Sequence, residues 1–159
     1  MVNITKHSGI YTLKVEQFLP ISLDKAWDFF SSPKNLERIT PSHMGFKITS
    51  GEPGSMYPGQ IISYKVSPLP GIKTSWVTEI THVEDQKFFV DEQRFGPYSM
   101  WHHEHHFEIK DNGVLMIDKV SYKIPFGILG HIAQVLFVKK QLAGIFNYRV
   151  KVLDEMFKE

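Results

Sequence analysis

The sequence predicts an α+β fold in which a curved antiparallel sheet of about seven strands wraps around a long C-terminal helix. Three observations predict it. Phe46 to Tyr122 runs as alternating apolar and polar segments separated by short Gly, Pro, Asn and Asp turns. Two short segments with helix signals follow the first strand, and the last stretch, Ile128 to Phe157, is free of proline with apolar residues at helical spacing.

The first strand, Gly9 to Leu19, places Tyr11, Leu13 and Val15 on one face, and Pro20 ends it. Ser22 is a helix N-cap by residue type, and Leu23, Ala26, Trp27 and Phe30 follow at helical spacing. This helix should stop at Ser31-Ser32, because the residue before Pro33 is pushed out of the α region. Pro33 opens a second short helix through Leu36 and Ile39, which Thr40-Pro41 closes.

The strands that follow are Phe46–Thr49, Gln60–Ser67 with Tyr64, and Lys73–Val83 with Trp76, Thr78 and Ile80 on one face. Phe88–Phe95 carries Phe89, Asp91 and Gln93, and Gly96-Pro97 turns the chain into Met100–Ile109. Asp111-Asn112-Gly113 is a hairpin signal leading to Val114–Lys123, in which Asp118, Val120 and Tyr122 share a face. Short turns between consecutive strands imply an antiparallel meander. The loops 52–59 and 67–72 are punctuated by Pro and Gly and are expected to frame a cavity mouth.

Read as one helix, Ile128–Phe157 would be about 45 Å long. Leu142, Phe146, Arg149, Leu153 and Met156 form its apolar stripe, with Lys140, Asn147, Lys151 and Asp154 opposite. Gly144 marks a bend or a close approach.

A chain of 159 residues is expected to form one domain over its whole length. With a formal charge of +1 and no Lys/Arg-rich run, it lacks the footprint of a nucleic-acid binder. Cysteine is absent, which removes disulfides, thiol nucleophiles and thiolate metal sites together. Residues 1–8 are polar and no apolar run reaches the roughly 20 residues of a membrane span, so a cytoplasmic location is expected. Gly-rich phosphate loops and Gly-x-Ser-x-Gly elbows are absent as well.

The chemistry concentrates in Met100–Ile109. Alternation puts Trp101, His103, His105, Phe107 and Ile109 on one face, and His102, Glu104, His106 and Glu108 on the other. The first face is aromatic with two imidazoles in its middle, so it looks inward; the second is wholly polar. His103 and His105 are the candidate catalytic groups, since an imidazole titrates near neutrality. A His-x-His pair also offers two zinc ligands. The third would have to come from Asp91 or Asp118, and only if their strands neighbour this one. The ligand set being incomplete, neither a metal nor a cofactor is expected. Arg149, inside the apolar stripe, needs a partner on the sheet, Asp118 or Asp91, or else an acidic group on a ligand. A one-residue slip at a bulge would reverse these faces.

Several phrases in this order resemble the SRPBCC superfamily, the START-like and Bet v 1-like helix-grip proteins, in its bacterial ligand-binding or cyclase/dehydrase-like branch. They are Pro20-Ile21 with Trp27, Phe30 and Pro33; Gly59-Gln60 with Tyr64; Phe89–Gln93 with Gly96-Pro97-Tyr98; Trp101–Phe107; Asp118–Tyr122 with Pro125-Phe126-Gly127; and Phe146-Asn147-Tyr148-Arg149. The resemblance spans essentially the whole chain. It implies a cavity between sheet and C-terminal helix for a hydrophobic small molecule (lipid, polyketide-like or isoprenoid/aromatic). The expected lining is Tyr64, Trp76, Phe89, Asp91, Gln93, Trp101, His103, His105, Phe107, Asp118, Tyr122, Leu142, Phe146 and Arg149. The alternatives are a cyclase or dehydratase using a cavity histidine as general base, and a protein-interaction module without a small ligand. Fold does not choose among them, and the oligomeric state is open.

Overall fold

The computed structural model describes residues 2–51, 54–69 and 72–158. Its strands in chain order are β1 (Asn3–His7), β2 (Ile10–Leu19), β3 (Lys47–Ile48), β4 (Ile61–Leu69), β5 (Ile72–Glu84), β6 (Phe88–Phe95), β7 (Met100–Lys110) and β8 (Gly113–Lys123). They form one antiparallel, open sheet of eight strands in the order β1-β2-β8-β7-β6-β5-β4-β3. From β3 to β8 every strand pairs with the next in sequence, as expected for a meander. The connection from β2 carries the chain to the far edge, and the meander brings it back to close against β2.

Strand β1 is one more than the sequence suggests. Asn3, Thr5, Lys6 and His7 are all exposed, so this edge strand carries no core signal. Its pairing to β2 comes from the turn Ser8-Gly9, where both residues have positive φ, the geometry that two-residue hairpins favour. The hairpin between β7 and β8 is centred one residue earlier than Asn112-Gly113 suggests. Lys110 pairs with Gly113, so Asp111 and Asn112 make the loop and Asp111 takes the positive φ. Gly113 is required for another reason: a Cβ there would lie 2.3 Å from the Leu19 carbonyl oxygen.

The helix α1 (Leu23–Phe30) starts where Ser22 Oγ accepts from the Lys25 amide and ends at Ser31. Two 3₁₀ turns follow, Pro33–Ile39 and Ser42–Met44. Trp27, Phe29 and Phe30 turn inward, with Trp27 edge-on to Phe89 and Phe107. The C-terminal run is helical throughout but not uniform: α2 (Gly127–Ala133), a π-helical turn Gln134–Val138, then α3 (Lys139–Met156). In α3, Leu142, Phe146, Arg149 and Leu153 are buried, as their spacing predicts.

Residues 126–137 depart from that stripe. Phe126, Ile128, Leu129, Val135, Leu136 and Phe137 are exposed. The inner side of this segment is held by polar bonds instead: His131 Nδ1 to the Tyr11 hydroxyl at 2.6 Å, and Gln134 Nε2 donating to Tyr122 Oη at 2.7 Å. Tyr11 and Tyr122 stack beneath it and already close that part of the sheet. The irregularity of the run therefore falls at the π turn, not at Gly144. A Cβ at Gly144 meets nothing within 4 Å, so Gly144→Ala should stabilise the protein by up to about 1 kcal/mol, whereas Gly113→Ala should destabilise it. A pair of urea unfolding curves checks both signs.

Candidate functional site

Between the sheet and the C-terminal helix lies a cavity of about 170 Å³. Its walls are apolar and largely aromatic: Phe46, Tyr64, Trp76, Phe89, Tyr98 and Trp101 from the 3₁₀ region and sheet, with Leu142, Ile145 and Phe146 from α3. Rings in contact build this wall, Tyr64 stacking on Trp76 and Trp76 standing edge-on to Trp101. Ser32, Asn35, Thr40, Thr78 and Gln141 add uncharged polar groups to the lining, and the charged and imidazole groups gather at one pole, where Asp91, His103, His105 and Arg149 line the same space.

Strand register assembles that pole. β6 and β8 flank β7, Asp91 pairs with His103, and His105 pairs with Asp118. The bulges of the sheet fall between β4 and β5 and between β5 and β6, so the three strands of the pole run in step and the alternation of faces survives. His103 and His105 are both buried, their ring centroids 3.7 Å apart. His103 Nε2 lies 2.8 Å from Asp118 Oδ1 and its Nδ1 3.4 Å from Asp91 Oδ2. His105 Nε2 lies 2.8 Å from Asp91 Oδ2. Its Nδ1 is 3.1 Å from Asp118 Oδ1, but out of line, and it makes no hydrogen bond. Behind them Arg149 Nη1 donates to Asp118 at 3.3 Å, and the guanidinium covers the Phe146 ring. Arg149 Nε has no hydrogen-bond partner among the described residues.

The electrostatics follow from burial set against these neighbours. Burial alone would raise the Asp118 carboxyl, but Arg149 and the adjoining His103 and His105 rings hold it well below the ordinary carboxylate range. Asp91 likewise resists burial through His103 and His105 and is lowered. At His103 burial and the neighbouring His105 prevail and its pKa falls. At His105 burial is outweighed by the adjoining Asp118 and Asp91 carboxylates, and its pKa rises. Burial pushes the hydroxyls of Tyr64 and Tyr98 far up, so both stay neutral donors and acceptors.

Of the side chains expected at the cavity, Tyr64, Trp76, Phe89, Asp91, Trp101, His103, His105, Leu142, Phe146 and Arg149 line it. Four lie elsewhere. Gln93 folds back to bond both the amide and the carbonyl of Tyr98, fixing the turn after β6. Phe107 packs under α1 with Trp27 and Phe30. Tyr122 is taken up by Gln134 and Tyr11, and Asp118 sits behind the two imidazoles. Ile109, assigned to the inward face, is 75% exposed: it stands at the hairpin end of β7, past the packed interior. His102 and His106 meet Glu92 and Glu104 on the outer face, as expected. Leu36, Ile39, Met44 and Met56 also line the cavity. Their apolar type was visible in the sequence; that the 3₁₀ turns and the loop before β4 reach over the opening was not. Of the loops expected at the mouth, residues 52, 53, 70 and 71 lie outside the described residues.

Set against protein-family models and curated proteins, the sequence matches none. Solved structures do match. Protein CV1439 from Chromobacterium violaceum superposes with a TM-score of 0.71 at 10% identity, covering 93% of this chain and 97% of its own. Major latex-like protein 151 from Panax ginseng gives 0.69 at 12%, covering 96% and 100%. Protein Ms6760 from Mycobacterium smegmatis gives 0.68 at 15%, covering 98% and 99%. At such identities the likeness is one of architecture. Among the described residues no helix is long and apolar enough to cross a membrane. Eight antiparallel strands gripping a C-terminal helix, matched nearly end to end by these structures, give this chain a helix-grip fold.

Proposed function

We propose that the protein binds a compact, mostly apolar small molecule whose one polar end meets His103, His105, Asp91 and Arg149. The observation that carries this reading is the polarity of the cavity, mostly aromatic and aliphatic with its charged and imidazole groups gathered at one buried pole. Its size narrows the class. A volume near 170 Å³ is on the scale of the roughly 150 Å³ cavity that accepts a single benzene ring. It suits a one- or two-ring compound better than a long acyl chain.

Binding is favoured over general-base catalysis by the imidazoles themselves. Both Nε2 atoms are hydrogen-bonded to carboxylates and both Nδ1 atoms stand within 3.4 Å of a carboxylate oxygen, so a substrate proton would have to compete with Asp91 or Asp118 for either ring. The titration of choice uses 2-naphthoate, followed by tryptophan fluorescence because Trp76 and Trp101 stand in the wall. Saturable binding with sub-millimolar Kd, weaker for naphthalene without the carboxylate, is the expected result. Absence of saturation across a panel of one- and two-ring compounds would remove the reading.

A further inference from the structure

We infer that Asp91, His103 and His105 form a mononuclear site for a borderline divalent transition ion such as Zn²⁺ or Fe²⁺, opening on the cavity. The ligating atoms, one carboxylate oxygen and one nitrogen of each ring, all lie within 4.8 Å of one another. The Asp91 Oδ2 contacts are 2.8 Å to His105 Nε2 and 3.4 Å to His103 Nδ1. Ligand atoms about 2.0–2.2 Å from a tetrahedral zinc stand roughly 3.3–3.6 Å from each other, so side-chain shifts of under about 1 Å suffice.

Hydrogen counting leaves room for the ion. Two neutral imidazoles own two N–H groups between them, yet four ring nitrogens face two carboxylates. Without an ion, His103 Nε2 bonds Asp118 and His105 Nε2 bonds Asp91; once both N–H groups turn to Asp118, the two remaining lone pairs converge on Asp91 Oδ2. An ion placed there accepts both lone pairs and the carboxylate together.

The surroundings have the arrangement that metal sites require of their supporting groups. Each ring has its other nitrogen beside Asp118, His103 Nε2 hydrogen-bonded at 2.8 Å and His105 Nδ1 at 3.1 Å and needing only a small tilt to bond; a carboxylate in that place fixes tautomer and ring orientation in zinc–histidine sites. Arg149 in turn holds Asp118 in place. The three ligands line the cavity while Asp118 stands behind them, so the ion's open positions face the hollow. Two imidazoles and one carboxylate select a borderline transition ion over Ca²⁺ or Mg²⁺, which favour all-oxygen shells. With the rings neutral, the ion, Arg149 and the two aspartates leave one positive charge. That charge suits an anionic oxygen from the molecule in the cavity. The ion is inferred from the ring geometry alone, so failure of the 2-naphthoate titration leaves it standing, and the reverse also holds.

Calorimetric titration of the chelator-stripped full chain with Zn²⁺ near neutral pH tests it. One ion per chain is expected at micromolar Kd or tighter. Asp118→Asn should weaken uptake by about 10–100-fold, and Asp91→Asn and His105→Gln by more. The outer-face variant His102→Ala/His106→Ala should bind as the wild type does. Zinc X-ray absorption of that loaded outer-face variant should show two imidazole ligands, which keeps the test independent of whether Asp91→Asn folds. No saturable uptake, uptake that survives Asp91→Asn but vanishes in the outer-face variant, or a spectrum with fewer than two imidazoles would overturn the site.

Discussion

Arg149→Met should destabilise the protein by roughly 3–5 kcal/mol, because removing one partner of a buried ion pair strands the other charge in the interior. Arg149 and Asp118 are 7% and 4% exposed, so little solvent is at hand to take over. Asp118 would keep only the two imidazoles, and in a domain of this size the melting temperature should fall by about 10 °C. The double variant Arg149→Met/Asp118→Asn should recover much of the loss, since no unpaired charge remains. Urea unfolding of the three proteins reads this directly. A single-variant loss below about 1 kcal/mol would mean a guanidinium that behaves like a surface charge, and the pole would not be the dry site described above.

Filling the hollow should have the larger effect on binding. Ile145 stands on α3 at the cavity, packed toward Met44, Val66 and Trp76. Ile145→Trp directs an indole into that space. Affinity for 2-naphthoate should drop at least about tenfold, a change of some 1.4 kcal/mol, with stability held or improved. In a fully packed interior the same enlargement costs about 1–3 kcal/mol. Binding and stability therefore report separately whether the space is real: loss of both would describe a packed core, and loss of binding alone a pocket.

Much of this architecture was legible in the sequence because its periodicities are strong. The inward set Trp101, His103, Phe107 and the outward set His102, Glu104, His106 follow from alternation in a strand whose neighbours run in register. α1 is announced by Ser22 and terminated by Pro33. What escaped depended on tertiary distance. Asp91 becomes a third group beside the two histidines only through the pairings Asp91↔His103 and His105↔Asp118, which sequence spacing does not specify. β1 was missed because an edge strand has no buried face to pattern. Gln93 and Tyr122 share faces with cavity residues, yet each is claimed by a hydrogen bond from another element. The apolar outer face of 126–137 runs against the usual logic of a surface helix, since Tyr11 and Tyr122 hold its inner side through polar groups.

If the apolar hollow under α3 takes a small molecule with its polar end at the histidine pole, the residues around it must respond together. Amide and indole NMR shifts of the labelled protein during 2-naphthoate titration test it most directly. The indole N–H signals of Trp76 and Trp101 and the amides of Leu142, Ile145 and Arg149 should move together and saturate. The indole of Trp27, packed under Phe89 and Phe107, should move least. Shifts confined to the outer face of the sheet, or none that saturate, would contradict the account.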